Sequence, residues 1–263
     1  FLNVPAVKVD VIYALGIGVL AAMILFWRSY GSLAETISNF TVMMSGRRQL
    51  LAVDPAYFRT YFTSDFLLFM MLMLMVLAGA GLIADDLKHN ALPLYFARPL
   101  RKRDYLGGKT AALLFFLLLM TLLPGLLFIV FKIIFSGSFA FLASYPWLPV
   151  SVTAFSLFVS VFSSLYALFL SSISRNRRFV SVLIFLVYIF SDVFFGIFNS
   201  IFHDPLFSLL SIKSNIQQIA AAVFRVKPPH DLPWLYSLLV LAAIAAAGAR
   251  VLLKRTRSVE VIK

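Results

Sequence analysis

The most densely charged stretch of this chain, residues 84–109, joins two long apolar runs and reads ADDLKHNALPLYFARPLRKRDYLGGK. Its adjacent carboxylates, Asp85 and Asp86, could form ion pairs with basic groups on a partner protein. Basic residues follow them, and Leu92 and Tyr95 lie among apolar neighbours in between. Apolar side chains bordered by charges are typical of an interface between proteins. The chemistry that we expect of this stretch is therefore recognition rather than catalysis.

The end of the same stretch could bind phosphate, because residues Gly107 to Thr110 match the last part of the pattern G-x-x-x-x-G-K-T. The pattern fails at its first glycine, where Arg103 stands, and an apolar run follows it. We interpret these residues as a turn into a membrane span, with Lys109 reaching toward the lipid head groups. The chain has no cysteine and its three histidines lack ligand spacing, so we expect no metal or cofactor on it.

One ionisable residue, Asp192, lies well inside an apolar run. Residues of this kind are functional by default, and Asp192 could line a substrate path, contact a second subunit or reach the outer head groups. These three interpretations stay open. Ser156, Ser160 and Ser164 follow each other at intervals of four residues without a catalytic base nearby in sequence. Their spacing predicts a face of small residues that packs between helices, so we expect no catalytic residues.

Composition identifies the surroundings of these residues. The chain is 62% hydrophobic and 13% charged, whereas soluble domains are roughly half apolar and a quarter charged. The apolar runs are continuous rather than alternating, which excludes the strands of a membrane barrel. The net charge of +12 comes from arginine and lysine beside these runs. Such residues face anionic lipid, so membrane lipid is an expected partner and nucleic acid is not.

A helix needs about 20 apolar residues to cross the hydrocarbon core of a membrane. Six runs qualify, and they cover residues 11–27, 66–84, 110–135, 148–173, 179–200 and 234–253. We predict an all-α, polytopic fold with a single transmembrane domain over residues 1–263 and a connecting loop over residues 84–109.

The outer segments of this plan are residues 28–65 and 201–233. Amphipathic patterns predict interfacial helices in both, namely over residues 32–44, from Asp54–Pro55 onward, and from Asp204–Pro205 to about Phe224. Asp65 is predicted to cap the second span at its start.

The distribution of basic residues predicts the orientation. Fifteen of the 23 lysine and arginine residues lie on the side of the two termini and of the loop at 84–109, and seven lie on the other side. Lys132 belongs to neither set and is expected to snorkel. Segments rich in lysine and arginine stay in the cytoplasm. We therefore predict a multi-pass protein of the cell's inner membrane, with both termini and the 84–109 loop in the cytoplasm.

The loop also resembles that of the permease subunits of type-2 ABC transporters, the class that includes the permeases of gliding-motility and copper-enzyme-maturation systems. Asp86 stands at the acidic position of their pattern, and Arg98–Pro99 and Gly108–Lys109 match its later steps. Asn90 replaces glycine, Ala91 replaces threonine, and Gly107 is additional. Asparagine tolerates the left-handed backbone that glycine adopts, so we expect the turn at residue 90 to be kept.

The resemblance implies a permease that exports its cargo, dimerises with a second copy or a paralogue, and depends on cytoplasmic ABC ATPase subunits. The ATPases, not this chain, would hold ATP and Mg and catalyse hydrolysis. A coupling helix in the loop would contact them. The implied ATPase-coupling residues are Asp85, Asp86, Lys88, Asn90, Leu92, Tyr95 and Arg98. Basic residues after them would anchor the loop at the inner leaflet, and these are Arg101, Lys102, Arg103 and Lys109.

Other classes of membrane protein make different demands on the sequence. A passive scaffold subunit of a larger complex would share the hydropathy and the charge bias, and only the charged loop favours a permease over it. A channel or secondary carrier would show several paired charges within spans, broken helices and an internal repeat, and none of these is evident. An intramembrane enzyme would need a catalytic constellation, which the sequence does not offer.

Overall fold

The computed structural model describes residues 55–91, 102–136 and 139–257, and within these ranges the chain is helical and contains no strand. The described α-helices are α1 (Pro55–Thr63), α2 (Asp65–Leu74), α3 (Gly81–Lys88), α4 (Lys102–Ser136), α5 (Ala140–Ser144), α6 (Leu148–Ser171), α7 (Arg177–Phe202), α8 (Ile212–Val223) and α9 (Trp234–Arg257). A π-helical turn, Met75–Gly79, joins α2 to α3, and a 3-10 helix, Pro205–Leu210, precedes α8. The predicted all-α class is confirmed for these residues.

Among the described residues, five stretches are long and apolar enough to cross a membrane, and they are Tyr57–Lys88, Asp104–Ile134, Leu148–Ser171, Arg177–Phe202 and Trp234–Arg255. They correspond to the second to sixth predicted spans, and together they indicate a multi-pass membrane protein. The first predicted span, 11–27, and the helix predicted at 32–44 lie outside the described residues.

The spans have two sets of ends. At one set, α3 ends and α7 begins close together, with Arg177 beside Asp85; we call this set the Asp85 end. At the other set, Lys213 of α8 contacts Asp65 and lies near Asp192; we call it the Asp192 end. Each candidate site described below lies at one of these two ends.

Helix α6 is the centre of the bundle and contacts α3, α4, α7, α8 and α9. Two neighbouring segments approach it at glycines. A Cβ atom added at Gly79 would lie 2.9 Å from the Cβ atom of Ala167, and one added at Gly125 would lie 2.9 Å from Val152 Cγ1. Small residues allow helix backbones to approach closely in a membrane, and these glycines set the spacing around α6.

The face of small residues predicted on α6 is confirmed. Ser156, Ser160 and Ser164 are fully buried, and the hydroxyl oxygen of Ser160 lies 3.2 Å from that of Thr121 in α4. Within a membrane the hydrophobic effect does not drive helices together, so hydrogen bonds between helices help to hold a bundle. These serines therefore have a packing role.

Aromatic rings fill the core at the Asp192 end. Phe62 of α1 stacks on Phe224, with 5.5 Å between the ring centroids, and meets Phe155 of α6 edge to face at 5.3 Å. Phe58 and Phe62 are fully buried. The helix predicted after Asp54–Pro55 is therefore present as α1, but its aromatic face packs into the bundle instead of lying in the outer interface.

The start of α2 differs from the prediction. The hydroxyl of Ser64 accepts a hydrogen bond from the Leu67 N–H group and so caps the helix. The capping role predicted for Asp65 is wrong, because Asp65 is the first residue inside α2. Its carboxylate points to α8 and lies 2.7 Å from Lys213 Nζ.

The segment between α7 and α9 contains two helices where the sequence predicted one. Asp204 caps the 3-10 helix by accepting a hydrogen bond from Leu206 N–H, and Ser211 caps α8 by accepting one from Ser214 N–H. Helix α8 contacts α1 and α9 and is mostly buried. It is therefore an integral part of the bundle.

Close packing at Gly79 leads to a prediction about stability. Gly79→Ala should lower the free energy of unfolding by about 1–3 kcal/mol, the usual cost of overpacking, because Ala167 Cβ is fixed by its backbone and cannot move aside. Gly196→Ala is the control, since no atom of a neighbouring helix lies within 4 Å of its added Cβ. Thermal unfolding in mild detergent measures both, and equal melting temperatures would contradict the packing described.

Candidate functional site

The carboxylate of Asp86 joins α3 to α4 at the Asp85 end. Its Oδ2 atom lies 2.8 Å from Lys109 Nζ and accepts a hydrogen bond of 2.6 Å from the Tyr105 hydroxyl. Tyr105 is buried, and little of the Asp86 or Lys109 side chain is exposed. Because water screens such a pair weakly, Asp86 fixes the beginning of α4 against the end of α3.

The structure corrects two predictions about the end of the loop. The turn predicted at Gly107 to Thr110 is wrong, because these residues lie inside α4, which begins at Lys102. Lys109 contacts Asp86 instead of reaching only toward the lipid. A glycine costs a helix about 1 kcal/mol relative to alanine, and the long apolar α4 tolerates that cost.

The beginning of α3 is held by Ser171, the last residue of α6. The Ser171 hydroxyl donates a hydrogen bond of 2.7 Å to the Ala80 carbonyl and accepts one of 3.1 Å from each N–H group of Ile83 and Ala84. The first four N–H groups of a helix have no partner within it. A side chain from another helix thus caps α3, and it ties α3 to α6.

The π-helical turn presents backbone carbonyls to α7. Arg177 Nη2 donates a hydrogen bond of 2.8 Å to the Leu77 carbonyl, and the Ser181 hydroxyl donates one of 3.4 Å to the Val76 carbonyl. Arg177 Nη1 also lies 3.9 Å from Asp85 Oδ2. Turns of this kind often occur at functional sites. Here the turn joins α7 to the segment that carries Asp85.

The end of α3 has an exposed edge. The Asp85 side chain is 40% exposed, and Lys88, His89 and Asn90 are exposed as well. His89 Nδ1 lies 2.8 Å from the Asp85 carbonyl oxygen, which holds the last turn of the helix. Asn90 has a φ angle of 50°, so the left-handed turn predicted at this residue is confirmed.

The remaining predicted loop residues divide into two groups. Leu92, Tyr95, Arg98 and Arg101 lie outside the described residues, and their coupling and anchoring roles stay predictions. Lys102 and Arg103 form the first turn of α4.

The sequence did not predict three members of this site, namely Tyr105, Ser171 and Arg177. The run of small residues from Ala78 to Gly81 was the available signal, because it weakens the helix where the π-helical turn occurs. The local sequence pattern does not indicate which distant side chains form hydrogen bonds with the backbone groups at this turn.

The second candidate site surrounds Asp192. Its Oδ1 atom accepts a hydrogen bond of 2.8 Å from the Ser211 hydroxyl, and its Oδ2 atom lies 3.9 Å from Lys213 Nζ. Lys213 Nζ lies 2.7 Å from Asp65 Oδ1. The sequence predicted an isolated carboxylate, and that prediction is wrong, because two carboxylates share one ammonium group here.

A cavity of about 480 Å³ lies between α2 and α7 and is bordered by Asp65, Asp192 and Lys213. We call it the Asp192 cavity. Its apolar walls include Phe69 and Val193. Pockets that bind small molecules usually have this volume, apolar walls and a few polar groups. The cavity is therefore a candidate binding site.

The histidines have local roles. His203 ends α7 with a left-handed backbone. His230 meets the Phe195 ring edge to face at 5.4 Å. Burial lowers the pKa of the His230 imidazole from its usual value, and the nearby Asp231 carboxylate opposes that change. Across residues 55–91, 102–136 and 139–257, no three histidine or acidic side chains are grouped so that they could hold a metal ion.

The helices and their apolar composition define an all-helical, multi-pass membrane protein. Comparison with known proteins does not narrow this class: no protein-family model, no curated protein and no solved structure matches the chain. The two candidate sites must therefore be interpreted from their own geometry.

The cap at α3 leads to a second prediction. Ser171→Ala should lower the free energy of unfolding by about 2 kcal/mol, because it leaves buried backbone groups at the start of α3 without a partner. Ser172→Ala is the control, since Ser172 directly follows α6 and its hydroxyl donates to the Phe169 carbonyl of that helix rather than to α3. Thermal unfolding in mild detergent compares them, and losses of equal size would argue against Ser171 as the cap.

Proposed function

We propose that this chain is the membrane-spanning permease subunit of an ATP-driven exporter of the type-2 ABC class. It would act with a second copy or a paralogue and with cytoplasmic ATPases that bind ATP and Mg. The observation that carries the proposal is the way α3 is held. Lys109 ties it to α4, Ser171 ties it to α6, and Arg177 ties the π-helical turn just before it to α7. A force on α3 is therefore passed to three spans at once.

The exposed edge of α3 supports docking of an ATPase. Asp85 and Lys88 offer opposite charges to a partner, and the left-handed turn at Asn90 changes the direction of the chain just after them. Asp86 is already engaged within the chain, so its proposed role is to hold the helix, whereas Asp85 would contact the partner. Tightly packed helices move as units between discrete arrangements, so ATP-driven closure of the ATPases would tilt the spans.

The charge at the two ends supports the proposed orientation. Lysine and arginine are concentrated at the Asp85 end, beside the predicted loop and the helix ends of α7 and α9. Cytoplasmic segments of membrane proteins carry this excess. The Asp85 end would then face the cytoplasm, where ATP is available to a partner.

The experiment asks whether a soluble protein with a complete phosphate-binding loop is purified together with this chain in mild detergent. Asp85→Lys should weaken that association roughly tenfold or more, because a like charge at an interface costs several kcal/mol. The fold should tolerate the change, since the contact with Arg177 is long and exposed and such pairs contribute about 0–1 kcal/mol. Purified ATPase activity with and without this chain gives the second readout.

Asp231→Lys is the matched control, because it makes the same charge change at an exposed residue between α8 and α9. It should leave both association and ATPase stimulation at the parent level. Normal association and stimulation with Asp85→Lys would contradict coupling through α3. Association without any stimulation in the parent protein would instead favour a passive scaffold.

A further inference from the structure

The Asp192 cavity has the polarity of an amphiphile. Its walls are apolar side chains of α2 and α7, and its charged residues are Asp65, Asp192 and Lys213. Phe69 and Val193, one on each wall, are themselves exposed on the helix surfaces. Because exposed apolar residues of membrane spans face lipid, an aliphatic chain can enter from the side.

The charged residues select the sign of the head group. Two carboxylates share a single ammonium group, so the cluster carries one negative charge when all three groups are ionised. The Asp65 side chain is 82% exposed and the Asp192 side chain is 41% exposed, so the carboxylate oxygen atoms of both can contact a cation. Opposite charges attract more strongly beside apolar walls than in water, so a cation is favoured and an anion is repelled.

Tyr188 borders the cavity. It lines the cavity and is 9% exposed, and its hydroxyl is buried without a hydrogen-bond partner in the described part of the chain. The hydroxyl itself has almost no accessible surface, so Tyr188 contributes its ring, and not a hydrogen bond, to the cavity wall.

We infer that the Asp192 cavity binds an amphiphile from the surrounding membrane, with its aliphatic chain between α2 and α7 and one cationic head group at Asp65 and Asp192. This inference goes beyond the proposed function, because it requires neither an ATPase partner nor transport. A cationic amphiphile matches both the apolar walls and the net charge of the cluster, whereas an anionic amphiphile matches only the walls.

Binding is tested with the full chain in phosphatidylcholine nanodiscs, using radiolabelled dodecyltrimethylammonium as the probe and empty nanodiscs to subtract partitioning into lipid. Saturable binding of the probe is expected, and dodecyl sulfate, which has the same aliphatic chain, should bind at least about tenfold more weakly because its charge is reversed. Equal binding of the two probes would overturn the inference. Absence of saturable binding would also overturn it.

Two variants with matched controls locate the probe. Asp192→Asn should weaken binding roughly tenfold, because one charged contact to the head group is lost. Asp231→Asn, which removes an exposed aspartate elsewhere, should not. Val193→Trp should remove most of the binding by filling the cavity, and Val182→Trp, at an exposed position of α7 that does not line the cavity, should leave it intact. Parent-like binding by both Asp192→Asn and Val193→Trp would refute the site.

Association with ATPases separates this inference from the proposed function. Asp192→Asn should weaken binding of the probe while its association with an ATPase stays at the parent level, because Asp192 is remote from the exposed edge of α3. Asp85→Lys should show the opposite pattern. Loss of probe binding in Asp85→Lys but not in Asp192→Asn would overturn the assignment of the site.

Discussion

The contact of the Asp86 carboxylate with Lys109 and Tyr105 determines the arrangement of the Asp85 end. The charges are largely shielded from water, so removal of one partner would leave the other poorly solvated, at a cost of about 1–3 kcal/mol or more. With this contact in place, α4 begins beside the end of α3. Ser171 then attaches the same short helix to α6, and Arg177 attaches the π-helical turn before it to α7. Four helices thus meet around two adjacent aspartates.

The two candidate sites share their helices. The stretch Tyr57–Lys88 carries Asp65 at one end and Asp86 at the other, and α7 carries Arg177 near its beginning and Asp192 in its second half. The π-helical turn lies within the first of these helical stretches. A displacement of α3 would therefore act on both walls of the Asp192 cavity. This geometry gives the proposed cytoplasmic coupling a physical route to the opposite end of the bundle, by movement of packed helices rather than of flexible loops.

Hydropathy was sufficient to predict the five membrane-spanning stretches within the described residues, because a run of about 20 apolar residues has few alternatives in a membrane. Residue type also predicted the left-handed turn at Asn90 and the packing face around Ser160. The ion pairs were not predictable, since Lys109 and Lys213 looked like ordinary residues near the ends of helices. Their partners depend on the depth and rotation of each helix. The π-helical turn changes that rotation, and hydropathy does not detect it.

The most direct test of the account is the side of the membrane on which the Asp85 end lies. The chain has no cysteine, so His89→Cys at the end of α3 and Lys227→Cys before α9 each place one thiol at an exposed position. A maleimide that cannot cross membranes should label Lys227→Cys in intact cells, and should label His89→Cys only after the membrane is opened. Labelling of His89→Cys in intact cells would contradict the account, because no ATPase could then reach α3.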